Sequence, residues 1–213
     1  QMVMRCALVL LVISFVVSNA QHLRVVNAIP FFPAINIYDG TGQSLFKNIY
    51  YGNVSSYSSI PAGEHQFEVV LPESGKTLTR GKFIVEADKH YSLYTANNGP
   101  VTILSVLPDN VTIHKQGHAA VRVVNLSPDS APYVSFKEEF YIYPLKFQES
   151  VIFVAPVPTY SDMVFSTVNG TKVVDVLKVP LRLNEYDIAT VWVEGFLHTG
   201  NNFPLIGVVS HAA

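Results

Sequence analysis

Cysteine is almost missing from this chain: 213 residues contain one, Cys6. Intrachain disulfides and thiolate metal sites are excluded at once. Charge is scarce as well, at 14% of residues, and the formal net charge is −2 with no basic run. The electrostatic footprint of a nucleic-acid binder is therefore absent. No G-x-S-x-G elbow, phosphate loop or dinucleotide fingerprint occurs. Asp39-Gly40-Thr41-Gly42 lacks the spaced carboxylates of a calcium loop. His22, His65, His90, His114, His118, His198 and His211 form no zinc pattern. His114 and His118 are four apart, but in a polar stretch that does not read as a helix. Glu138-Glu139 are strand neighbours whose side chains face opposite ways, which makes a poor acid–base pair. The expectation is a chain with no catalytic residues, no metal site, no cofactor and no nucleic-acid partner.

What the chain does have is apolar and β-prone. Hydrophobic residues make up 49%, with 13 Phe and 11 Tyr. Such composition rules out disorder and suits a pleated, half-buried surface. Residues 1–20 read as a secretory signal peptide. Arg5 gives the positive start, Ala7–Val17 the apolar run, and Ser18-Asn19-Ala20 the small residues before a cleavage point. The run is short for a transmembrane helix. If retained, its β-prone residues Val9, Leu10, Leu11, Val12, Ile13, Phe15, Val16 and Val17 make a possible donor strand for the sheet edge of a neighbouring molecule.

A repeat organises the remainder. Leu23–Pro30, L-R-V-V-N-A-I-P, returns as V-R-V-V-N-L-S-P from Val121. Two halves of about a hundred residues follow, each large enough to hold a core without disulfides. Short strands broken by Gly, Pro and Asn turns fill both, without a helical period. Glu64–Leu71 shows the clearest alternation, with His65, Phe67, Val69 and Leu71 on one side. Gly81 is read as a bulge, and Lys172–Leu177 and Val179–Leu183 as separate strands. Tyr186 is matched to Tyr91 as the aromatic near the start of a late strand. The predicted fold is all-β: two tandem immunoglobulin-like antiparallel β-sandwich domains. The bounds are 21–108 for the first, 109–119 for a polar linker and 120–213 for the second.

The motifs resemble those of domain-of-unknown-function family 4397. That family opens on a strand of the type V-R-V-V-x-x-S-P-D-A-P, then has a strand ending in D-G, then a P-A-G turn. Val121–Pro132 matches the opening, as does Leu23–Pro30. Pro33–Gly40 and Ile60–His65 match the other two in the first half. The second half lacks both turns, and the family's usual His after V-R-V-V is Asn27 and Asn125 here. The resemblance implies secreted or surface-attached sandwich domains, often in tandem, and no known activity.

Four sequons mark candidate glycosylation sites at Asn53, Asn110, Asn125 and Asn169. Asn125, ending the opening strand, is the one most readily spent on backbone instead. Phe31-Phe32, Tyr50-Tyr51 and Tyr141-Tyr143 make candidate aromatic platforms for sugar rings, although strand alternation sends half of each set to the core. The function expected is that of a non-enzymatic, extracellular structural glycoprotein. It would assemble with copies of itself into a surface fibre, coat or matrix by strand addition or head-to-tail contacts. The alternative is an adhesion module that binds carbohydrate or a surface, with extracellular glycans as partners.

Overall fold

The computed structural model describes residues 20–130, 132–136, 140–142, 144–169, 172–197 and 205–211. The possible donor strand, Val9–Val17, lies outside them, as do Glu138, Glu139, Tyr143 and His198. The described residues form seventeen strands and no helix. The first half holds β1 (Ala20–Ala28), β2 (Ala34–Asp39), β3 (Ser44–Tyr50), β4 (Asn53–Val54), β5 (Ser58–Pro61), β6 (Gly63–Val70), β7 (Thr77–Val85), β8 (His90–Asn98) and β9 (Val101–Pro108). The second holds β10 (His118–Asn125), β11 (Tyr133–Phe136), β12 (Phe140–Ile142), β13 (Ser150–Pro156), β14 (Thr159–Asn169), β15 (Lys172–Leu183), β16 (Ile188–Glu194) and β17 (Ile206–His211).

Each half folds as a pair of sheets with one topology. The first has β4-β1-β8-β9, with β5 also on β1, over β3-β2-β6-β7. The second has β13-β10-β16-β17 over β12-β11-β14-β15. All pairings are antiparallel except β1 with β8 and β10 with β16. An immunoglobulin constant domain divides its strands 1-2-5-4 and 3-6-7. The immunoglobulin-like expectation therefore holds only as far as an all-β, two-sheet sandwich. The register equates Arg24, beside Ser92, with Arg122, beside Thr190, and Tyr94 with Trp192.

Three sequence readings change. Tyr91 corresponds in register to Ala189, and Tyr186 sits in the turn before β16 at φ 65°. Gly81 is in regular register opposite Phe67; a Cβ there would come 2.6 Å from the Phe83 ring, so packing selects glycine. The two strands expected at 172–183 are one, β15, with an irregularity opposite Phe165/Ser166.

Three cores hold the described residues together. Leu23, Val25, Ile35, Ile37, Phe67 and Leu93 fill the first sandwich. Val121, Val123, Phe153, Phe165, Met163 and Val191 fill the second. The third lies between halves: Val26, Ala28, Tyr94 and Ala96 pack on Val124, Leu126 and Trp192. Strands β1, β8, β10 and β16 are thus buried on both faces. That is why they read V-R-V-V and A-T-V-W-V instead of alternating with polar residues, as strands covered on both sides do.

Candidate binding site

The loop between β1 and β2 is set by Asn27. Its side-chain Oδ1 accepts from Ile29 N at 3.0 Å, and its Nδ2 donates to the Ile49 carbonyl at 2.9 Å. This Asx-type bond ends the strand and turns the chain outward. Asn125 does the same after β10: Oδ1 accepts from Ser127 N, and Nδ2 donates to the carbonyls of Ser130 and Leu145. The asparagines that replace the family's usual histidine are therefore strand caps in both halves. Asn125 is fully buried with its amide nitrogen already committed to two carbonyls, so a glycan has no place on it in this fold.

Past Asn27 the loop carries Phe31 and Phe32. They line a groove of about 410 Å³ with Lys76, Thr77 and Leu78 from the start of β7 and Asn97, Gly99, Pro100 and Thr102 from the β8–β9 hairpin. Phe31 is 49% exposed, and its ring lies 5.5 Å from that of Phe196, which follows β16. Both halves thus build this end of the molecule. Thr102 Oγ1 donates to Asn97 Oδ1 at 3.2 Å, which fixes the amide's orientation. The volume falls in the range of small-ligand sites, and the lining mixes apolar and polar groups about evenly.

Tyr50 and Tyr51 do not join it. Tyr50 is 55% exposed on edge strand β3, while Tyr51 is partly buried beside Glu194. Of Tyr141-Tyr143, the second residue lies outside the described set. Asn53 and Asn110 are exposed, and Asn110 Oδ1 accepts from His90 N. Asn169 ends β14.

A second cluster sits deep between the halves. Asp109 Oδ2 accepts from Ser92 Oγ at 2.7 Å and Tyr57 Oη at 2.8 Å, and lies 3.4 Å from Arg24 Nε. Its other oxygen is 3.8 Å from Arg122 Nη1. The Arg24 guanidinium covers the Tyr57 ring at 4.7 Å. All three charged side chains are nearly water-free, at 3%, 7% and 1% exposure for Arg24, Arg122 and Asp109. Burial, then the Asp109 charge, pushes the Tyr57 hydroxyl up; burial pulls Arg122 down. His22 and His90 stack at 4.7 Å beside it. Burial, then His22, lowers the His90 pKa. At the opposite end Glu194 is fully buried, and among the described residues neither carboxyl oxygen has a hydrogen-bond partner. Burial holds its carboxyl well above the usual range. Among the described residues no group of His, Cys, Asp and Glu is placed to hold a metal.

The profile of the family described as Domain of unknown function (DUF4397) matches residues 21–136. The chain belongs to the DUF4397 family. The match runs over the whole first half and ends at the close of β11, where the second half departs from the family's turns. No curated protein matches this DUF4397 chain. Among solved structures, CBMbc (family CBM26) from Eubacterium rectale Amy13K, in complex with maltoheptaose, is similar at 9% identity. The likeness covers 91% of this chain and 97% of that one, with a TM-score of 0.29. A candidate cell adhesion protein from Bacteroides fragilis NCTC 9343 is 14% identical over 84% of this chain and 83% of its own, with a TM-score of 0.22. Both scores are too low for either likeness to carry an argument about this chain.

Sequence reasoning missed the charged cluster, Glu194 and Phe196. The signal for the first was present: an arginine in the middle of each of two otherwise apolar strands. Phe31-Phe32 stands out in the sequence, but Asn97, Thr102 and Lys76 join it only through the fold.

Proposed function

We propose that this DUF4397 protein is a non-enzymatic, extracellular adhesion module of two tandem sandwich domains that binds a glycan in the Phe31–Phe32 groove. One observation carries the reading. A half-exposed phenylalanine lines a groove whose walls also include Asn97, Thr77, Thr102 and Lys76. A sugar ring presents an apolar face and a rim of hydroxyls, and needs this combination. Glycans on exposed Asn53 and Asn110 suit a secretory origin. A screen of the full chain against neutral and acidic oligosaccharides, followed by titration calorimetry, tests it. Binding that weakens at least about tenfold in Phe31→Ala, from loss of roughly 1.4 kcal/mol of contact, supports it. Absence of any glycan binding, or equal affinity in the variant, refutes it.

A second reading, self-assembly, rests on β13. This strand is at a sheet edge and turns Ile152 and Val154, 47% and 45% exposed, to solvent. An apolar edge row is a template for another strand, and Val9–Val17 has the composition to supply one. Deleting residues 1–20, or placing Lys at Ile152 and Val154, would then leave only monomers. Fibres or oligomers that persist in both variants would end this reading.

A further inference from the structure

The contact between halves is reciprocal. Arg24 of the first half donates from Nη1 to the His211 carbonyl at the end of β17, at 2.9 Å. Arg122 of the second donates from Nη1 to the Pro108 carbonyl at the end of β9, at 2.6 Å. Pro108 and His211 hold the same register position, opposite Tyr91 and Ala189. Tyr94 and Trp192, also equivalents, meet at a ring distance of 6.2 Å. Val26 and Ala28 face this core as Val124 and Leu126 do. Each half therefore gives the other what it receives, which is the geometry of a two-fold, isologous interface between subunits.

We infer that this face is an exchangeable interface: the first half of one molecule can dock on the second half of another copy, closing a swapped dimer. The contacts in the dimer and in the closed monomer are the same, so their balance is set by the connection alone. Asp109 N donates to the His90 carbonyl, and Gly117 N to Glu185 Oε1, so the free span lies between these anchors. It carries no strand, and Thr112, His114, Lys115 and Gln116 are exposed. So short a tether gives an effective concentration on the order of millimolar. The closed monomer wins at micromolar protein, and the dimer wins when the tether cannot span. A dimer would carry two Phe31 grooves on one particle. The inference does not depend on what those grooves bind.

Two measurements on the full chain test it. Deleting residues 112–116 should double the mass seen by light scattering while the β-sheet circular dichroism is kept; a folded monomer overturns the inference. Should that variant fail to fold, a second experiment decides. A protease site replaces residues 111–115, Cys6→Ser removes the native thiol, and dyes sit on Ser56→Cys in one batch and Ser150→Cys in another. After cleavage and mixing, energy transfer between batches is expected. Halves that separate on cleavage at micromolar concentration, or stay paired for days without transfer, overturn it.

Discussion

The two halves share a topology and differ in how they treat the strand beside the opening one. In the first half that place is divided between β4 and β5, two short pieces separated by residues 55–57. In the second it is the continuous β13. The break lets Tyr57 leave the sheet and reach Asp109. The unbroken strand leaves an apolar row at an open edge instead. What is kept in both halves is the inward core, the asparagine cap and the arginine. What has diverged is the exterior. The surface by which the halves meet is thus shared, and the exterior differs.

The largest expected effect breaks the comparison at its centre. Asp109→Ala leaves Arg24 and Arg122 buried without a counter-charge and takes the acceptor from Tyr57 and Ser92. Removal of one partner from a buried ion cluster costs about 3–5 kcal/mol. Denaturant unfolding should show that loss; a change under about 1 kcal/mol would mean the cluster is already hydrated.

Replacing the two caps in turn sharpens the comparison. Asn125→Ala removes three buried hydrogen bonds to backbone, and Asn27→Ala one buried and one part-buried, so the second-half variant should be the less stable. Each exposed deficit costs about 1–3 kcal/mol. Equal losses in parallel melts would show that the caps do not differ as their partners do.

How much of this was legible follows from the same residues. Strand alternation and turn chemistry expose β6 and the hairpins, because one face of β6 is wetter than the other. The V-R-V-V strands announce burial on both faces, but a sequence does not say what covers the second face. The groove needs the loop after β1, the start of β7 and the β8–β9 hairpin brought to one end, and nothing in local spacing reports that. Asn27 and Asn125 lie in the repeated motif, yet their partners Ile49 and Leu145 are some twenty residues away.

Smaller effects concern titration. Glu194 has a folded pKa raised by burial, so its contribution is fully present below the unfolded value near 4.5 and is lost as pH rises above it. Glu194→Gln should match the parent at pH 4 and exceed it at pH 7, with a Tm gain of about 2–4 °C per kcal/mol recovered. A variant less stable than the parent at both pH values would contradict this. His90 has the opposite sign: its folded pKa is depressed by burial and by His22. Its stabilising share is present above the unfolded value near 6.5 and lost as pH falls below it. His90→Gln should flatten the thermal stability profile below pH 6.5; an unchanged slope would place the proton elsewhere.

The account depends most on the halves being one cooperative body, joined by the Tyr94–Trp192 core and the Asp109 cluster. Differential scanning calorimetry of the intact chain measures this directly. A single transition with equal calorimetric and van't Hoff enthalpies, which splits in two in Asp109→Ala, is the predicted result. Two independent transitions in the unaltered protein would contradict it.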